Sequence, residues 1–249
     1  MYLEVQPLAP MNSVSDTSVC NAEFEFSALH EARNYRAALL GDFSVYLRGN
    51  VLEVGAGIGQ ITSALCSIAA ISKLTSIEPS PQFCALLREK FPALDILEGT
   101  VADLPSGTGW NAILSINVLE HIQDDQEELR VYRQLLSETQ GALCLFVPAR
   151  PEIYAPIDGD FGHHRRYTRR ELRHKLQQAG FKIIGLRYYN FVGYFAWWLS
   201  FCVMKKRSFA VNQVRLFDRA IFPLVHGFES RICAPPIGQN LMAIAMARD

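Results

Sequence analysis

The sequence predicts an α/β protein: a doubly wound, mostly parallel sheet with a helical insertion near its C-terminal end. Three observations carry this. From Val51 to Val147, short apolar runs alternate with helix-length amphipathic stretches. A glycine-rich turn, Gly55-Ala56-Gly57-Ile58-Gly59, follows the first apolar run, where open α/β sheets carry their ligand-binding turn. Residues 142–147 are apolar throughout, the composition of a strand covered on both faces. The chain has 249 residues, 49% hydrophobic and 20% charged, ample for one domain with a substantial insertion. That composition excludes a disordered tail, a collagen-like fibre and a disulfide miniprotein.

The elements follow in order. Residues 1–22 are polar, without clear periodicity, and read as a lead-in. Residues 23–48 read as a helix with Phe24, Leu29, Tyr35, Leu39 and Leu40 on its apolar face, ended by Gly49 and Asn50. Strands are predicted at 51–54, 74–78, 94–98, 112–116 and 142–147. Helices are predicted from the glycine turn to about residue 70, from Pro81 to about 91, and over 125–139 with Gly141 as its stop. Residues 149–167 read as a long loop. Thr168 and Glu171 form a capping box that opens a helix to Ala179, and Gly180 ends it. Strands follow at 181–189 and 241–247, with an aromatic and basic helical stretch between them. Three parts result: a lead-in and helix, 1–48; a core, 49–190 and 238–249; and a helical cap, 191–237.

The net charge of −1 hides a split. Residues 1–148 hold 8 Lys/Arg against 18 Asp/Glu, and residues 149–249 hold 16 against 7. Cys20, Cys66, Cys84, Cys144, Cys202 and Cys233 form no C-x-x-C pair and no zinc-like spacing, so no metal is expected and a reducing cytoplasm fits. The start of the chain lacks a basic region followed by an apolar run. The most apolar stretch, residues 191–204, is too short to span a bilayer.

The turn reads E-x-G-x-G-x-G from Glu53 to Gly59. A dinucleotide fingerprint would need glycine where Gln60 stands, and the G-K-[ST] of a nucleotide triphosphate loop is absent. Glu78 and Pro79 end the second strand, Val101-Ala102-Asp103 follows the third, and Asn117-Val118-Leu119-Glu120-His121 follows the fourth. On these residues the chain resembles the class I S-adenosylmethionine-dependent methyltransferases, over roughly 30–185 and 240–248. The resemblance implies a seven-stranded Rossmann-like sheet ending in an antiparallel pair, with S-adenosylmethionine as cofactor and S-adenosylhomocysteine as product. It lays the helix of the first part, 1–48, over the cofactor. It also implies a cofactor set of Glu53, Gly55, Ala56, Gly57, Gly59, Glu78, Pro79, Ala102, Asp103, Asn117, Val118 and His121. Glu78 would grip the ribose hydroxyls and Asp103 the adenine. Tyr35 either reaches the methionine carboxylate or packs the helix on the sheet.

The segment 154–167 carries G-H-H-R-R-Y and resembles the G-H-x-R-R-Y segment of a methyltransferase subgroup (type 11/12-like) associated with glycan or lipid-linked sugar pathways. Asp158, His163 and His164 are the candidate catalytic bases, since imidazole accepts protons near neutrality. Tyr154, Arg165, Arg166, Tyr167, Tyr194 and Trp197 are the candidate acceptor contacts; arginine forks suit carboxylate and phosphate. The alternative is that the histidines pin the loop and the arginines pair with the acidic half. Residues 191–207 read as an interfacial helix at an anionic membrane, as a lid over an apolar acceptor, or as a packed helix or dimer interface.

The expected function is methylation of oxygen or nitrogen on a small-molecule or lipid-linked-sugar acceptor, anionic in character, by a cytoplasmic monomer or homodimer, peripheral at the inner membrane in the interfacial reading. An RNA methyltransferase and a non-catalytic partner subunit are the alternatives. DNA is not expected as a partner: neither N-P-P-Y nor a Pro-Cys follows the fourth strand.

Overall fold

The computed structural model describes residues 31–105, 107, 109–231 and 235–247. The lead-in, the start of the first expected helix, Cys20 and Cys233 lie outside the described residues. Seven strands form one sheet: β1 Gly49–Val54, β2 Ile71–Glu78, β3 Asp95–Glu98, β4 Ala112–Ile116, β5 Ala142–Pro148, β6 Lys182–Tyr189 and β7 Asn240–Met246. Their order is β3-β2-β1-β4-β5-β7-β6. The first five run parallel, and β7 lies antiparallel between β5 and β6. The strand order reverses between β1 and β4, which opens a crevice at their C-terminal ends.

The helices are α1 Arg33–Phe43, α2 Gln60–Leu65, α3 Pro81–Lys90, α4 Asp125–Leu135, α5 Pro156–Asp160, α6 Arg169–Gln178, α7 Phe191–Trp197, α8 Val211–Leu216 and α9 Phe222–Arg231. Their starts follow from side chains that satisfy the first free N–H groups. Ser80 accepts from the Phe83 N–H, with Pro81 at the first position of α3. Asp124 does the same for Glu127 in α4. Thr168 and Glu171 make the expected capping box on α6. The α7 helix runs on as a π-helical segment, Trp198–Val203, and another, Phe217–Ile221, joins α8 to α9.

The core lies on both faces of the sheet. Leu143, Leu145 and Val147 of β5 pack with Leu129 and Tyr132 of α4 and Leu172 and Leu176 of α6. Cys144 and Phe146 face the other way, onto Leu39, Leu40 and Phe43 of α1. Alternate residues of one strand therefore serve two cores, which is why 142–147 is apolar at every position.

Several expected boundaries shift. The α1 helix stops at Phe43 rather than at 48, and Gly49 and Asn50, expected to break it, open β1 instead; α2 stops at Leu65, α4 stops at Leu135, and β2 starts earlier, at Ile71. The stretch 149–167, expected to be a loop, contains a 3-10 turn, Pro151–Ile153, and the α5 helix. Its order comes from burial of Ile153, Ala155 and Ile157 against Trp197 and Phe201 of the cap, contacts remote in sequence. Of the free thiols, Cys84 and Cys144 are buried as small hydrophobes, Cys202 is half-buried, and Cys66 is exposed rather than apolar in setting.

Two acids of the cap hold it to the core. The Asp218 carboxylate accepts from the Asn34 and Tyr35 N–H groups, at 3.0 and 2.9 Å, and so caps α1 from outside. The Glu229 carboxylate accepts from the Asn190 and Phe191 N–H groups at the start of α7. Both acids are buried.

Candidate active site

The glycine turn leaves β1 at the sheet's reversal point. Gly55, Gly57 and Gly59 take φ values of +72°, +53° and +79°, which side chains rarely adopt. A Cβ on Gly55 would stand 2.5 Å from Val118 Cγ2, so the loop after β4 closes directly on the turn. The Glu78 carboxylate accepts from the Gly57 N–H at 2.9 Å and the Ser80 N–H at 3.0 Å, joining the turn to the end of β2. Ala56 is buried in the turn, and Pro79 is exposed after Glu78. Beyond β3, Ala102 and Asp103 are exposed on a short turn. Asp103 accepts from the Thr100 N–H and hydroxyl, and these hydrogen bonds hold its carboxyl below the usual range. Glu53 stands in β1, next to last before the turn. It is buried and accepts from Thr62 Oγ1 at 2.7 Å and Ser76 Oγ at 2.6 Å. Burial pushes its carboxyl up to about 7 against the pull of those two hydroxyls.

After β4 the backbone of Asn117 turns through φ +52°, a conformation asparagine tolerates. Its Oδ1 is buried without a hydrogen-bond partner, and the residue lines a cavity of about 390 Å³. That cavity lies between the C-terminal end of the sheet and the cap. Phe146, Phe161, Trp197, Phe201, Phe209 and Phe217 give it an apolar wall. Asn117 is the hinge of the site: the next residue, Val118, rests on the glycine turn, and Asn117 itself borders the cavity.

His163 stands at the same wall. Its Nδ1 is 3.1 Å from Asp158 Oδ1, and its Nε2 is buried without a hydrogen-bond partner. Asp158 is fully buried, and Arg166 meets its Oδ1 through Nε and Nη2, both at 2.8 Å. The Ala155 N–H donates to the other oxygen. Burial raises the Asp158 carboxyl, but the His163 hydrogen bond and the Arg166 charge outweigh it and hold the group below its ordinary value. Arg166 also donates to the Ala149 carbonyl and lies 4.3 Å from the centre of the Trp197 ring. Trp197 is set by its Nε1–H, which donates to the Ile153 carbonyl.

The remaining candidates divide. Trp197 and Arg166 border the cavity. Tyr154 does not: its hydroxyl donates to the His163 carbonyl and props the loop that carries His163. Tyr167 is buried in the core, its hydroxyl donating to Asp125 Oδ2 at 2.8 Å. Arg165 pairs with Asp125 at 2.9 Å, the expected alternative of a basic residue answering the acidic half. Tyr194 is half-buried beside Arg150 and Phe195, and His164 is exposed. These five serve packing or solvent, because strand and loop direction, not residue type, decides what reaches the crevice. Tyr35 borders the cavity within an aromatic cluster of Phe146, Tyr189 and Phe222, and its hydroxyl meets Asn240 Oδ1 at 3.1 Å.

The fold also assembles residues the sequence reading left apart. Asn190, Gln239 and Asn240 border the cavity from the two ends of the cap. The only signal for Gln239 and Asn240 was the glycine-containing P-I-G-Q-N run that leads into β7, and Asn190 had none. No metal was expected from spacing, yet Glu120, His121 and His163 converge: one donor atom from each lies within 4.8 Å of the others. Among the described residues this is the one such group of three.

A family described as a methyltransferase domain matches residues 28–186, more than half of the chain. An uncharacterized methyltransferase of Bacillus cereus is 33% identical over 93 residues, covering 36% of this chain and 43% of that protein. An uncharacterized methyltransferase of Bacillus mycoides matches similarly, at 32%. The match thus spans less than half the length of these curated relatives. Among solved structures, a Thermotoga maritima S-adenosylmethionine-dependent methyltransferase superposes with a TM-score of 0.59 at 16% identity, covering 93% of this chain and 97% of that one. A chain from a Haloferax volcanii complex of the Trm112 methyltransferase activator with a methyltransferase gives 0.62 at 15%, covering 95% and 100%. These likenesses are of fold. With a family match across the sheet and the glycine turn, the chain belongs to the methyltransferase-domain family.

Proposed function

We propose that the protein uses S-adenosylmethionine to methylate an oxygen or nitrogen of a small-molecule or lipid-linked acceptor with an apolar body and an anionic group. The observation that carries this is His163: it is oriented by a buried carboxylate and borders an apolar cavity, and its other ring nitrogen makes no hydrogen bond, with the Glu120 carboxylate 3.9 Å away. S-adenosylmethionine supplies a methyl group on a positively charged sulfur, a centre already activated for in-line displacement. The residues that would hold it fit: three glycines in left-handed backbone, a carboxylate after β2, and a buried unpartnered amide oxygen after β4.

The chain's own work is alignment and proton removal. Asp158 holds His163 with its Nδ1 proton inward, so Nε2 is the proton acceptor. Arg166 keeps Asp158 ionised. The aromatic wall excludes water and seats the apolar part of the acceptor. Lys206, exposed at the cavity, is the cation for an anionic group, since the Arg166 charge is met by Asp158.

Calorimetric titration with S-adenosylmethionine is expected to show binding by the wild type and none by Gly57→Arg. Labelled methyl from the cofactor is expected in the small-molecule or lipid fraction of a cell extract. His163→Gln is expected to slow transfer about 10²- to 10⁴-fold while cofactor affinity is kept. Wild-type transfer in that variant rejects the base. Label in RNA supports the nucleic-acid alternative, and a wild type that binds no cofactor supports the partner-subunit alternative.

Convergence of Glu120, His121 and His163 supports a second reading, in which a divalent cation polarises the acceptor oxygen. Transfer undiminished after dialysis against a chelator excludes it.

A further inference from the structure

The cap is amphipathic in a direction its packing does not use. Along α7 and its π-helical extension, Tyr194, Trp197 and Phe201 face the Ile153–Ile157 cluster. Phe195, Trp198, Leu199, Val203 and Met204 point outward. On the second cap segment Leu216, Ile221, Leu224 and Phe228 do the same, while Phe222 and Glu229 turn inward. These nine are 40–76% exposed, and among the described residues they account for nine of the thirteen exposed large hydrophobics. Scattered apolar residues need no explanation, but this concentration on the two segments of the cap does.

Charge names the occupant. The acids of the described cap, Asp218 and Glu229, are buried and spent on the starts of α1 and α7. Lys205, Lys206 and Arg219 are exposed and make no ion pair among the described residues. Arg207 pairs with Asp160 yet stays largely exposed. The exposed charges of the described cap are therefore cations alone: Lys205, Lys206 and Arg207 directly after Met204, and Arg219 two residues before Ile221. A two-fold contact with a second copy would set these cations against one another. An anionic bilayer complements both parts: tryptophan and phenylalanine at headgroup depth, lysine and arginine on the lipid charge.

The cavity opens on this face. Leu216 and Ile221 line it and are 64% and 40% exposed, and exposed Lys206 lines it as well. We infer that the outer face of the cap docks on an anionic lipid surface, so that the cavity mouth receives its acceptor from the bilayer. The second half of this inference rests on the methyl-transfer reading above; the docking surface does not. No described helix is long and apolar enough to cross a membrane, so the contact is peripheral.

Co-sedimentation with vesicles of phosphatidylcholine and phosphatidylglycerol in equal parts tests it, without cofactor or acceptor. The wild type is expected to partition onto these vesicles, weakly onto phosphatidylcholine alone, and less as salt rises. Leu199→Glu combined with Leu224→Glu, neither of which lines the cavity, is expected to lose about tenfold or more of the partitioning. Its cofactor affinity and circular dichroism should match the wild type, which separates lost docking from lost folding. Vesicles of brominated phosphatidylglycerol should quench a part of the fluorescence that Trp198→Phe removes. Failure of the wild type to bind anionic vesicles overturns the inference. So does equal binding by the double variant, or a wild-type dimer that the double variant splits. A chain that binds these vesicles but no cofactor keeps the docking surface and rejects the methyl-transfer reading instead.

Discussion

Glu53, a motif acid, is tied to its neighbours by two hydroxyls, Thr62 and Ser76. Its carboxyl, ordinarily near 4.5, is pushed up to about 7 by burial. Between those values the folded chain holds a proton the unfolded chain has released. Stability from this group is therefore full below about pH 4.5 and is lost as pH rises through about 7. Glu53→Gln, which keeps an oxygen for Thr62 and Ser76, is expected to match the wild type at pH 4 and exceed it at pH 8 by roughly 3 kcal/mol. Urea melts at the two pH values check this; a variant weaker at pH 8 would assign the charge a stabilising role. The Asp158–Arg166 pair has the opposite character. Arg166→Leu strands a buried carboxylate and is expected to cost about 3–5 kcal/mol. Measured unfolding free energies will show it, and a loss below about 1 kcal/mol would mean that Asp158 finds other support. The arginine run was legible in the sequence, but not that Arg165 and Arg166, adjacent in the chain, meet different acids on opposite sides of the loop.

At the scale of elements, local rules located nearly every strand and helix of the core. The capping box at Thr168, the proline at the start of α3 and the stop at Gly180 act through neighbours in sequence, so they were readable. The start of α1 was not. Ala32 offers no cap, and the job falls to Asp218, 184 residues away from Asn34. Asp218→Ala should leave two N–H groups without their acceptor, cost about 1–2 kcal/mol and lower the Tm by roughly 2–8 °C. A thermal melt tests this, and an unchanged Tm would show that α1 needs no outside cap. Gly238 is a second case. A Cβ there would collide with the backbone of Tyr189, so the chain can enter β7 beside β6 only as glycine. Gly238→Ala is expected to destabilise by about 1–3 kcal/mol, read from the same melts.

Across the whole molecule, burial grades from the centre of the sheet outward. Every residue of β5 is buried, whereas β3 is a short edge strand with exposed ends. Amide exchange should be slowest in β5 and its partners β4 and β7, and fastest in β3 and the outer cap helices. Comparable protection across the cap and β5 would contradict this. The charge split also finds its place at this scale: part of the basic half is consumed internally, by Asp125 and Asp158, and much of the rest is exposed on α6 and on the cap.

Period and punctuation in the sequence determined the sheet, its crossover helices and the position of the glycine turn, because these depend on residues within a few positions of each other. They also carried the family resemblance, since the turn and the residues ending β2, β3 and β4 occupy fixed places on consecutive strands. The tertiary structure alone decided which loop residues face the crevice. His163 and Arg166 reach it while Tyr167 turns into the core and His164 into solvent, because packing of α5 against the cap sets the direction of each side chain. It alone decided that the cap encloses an apolar cavity and leaves a second apolar face uncovered, since that depends on how two helices far apart in sequence settle on the sheet.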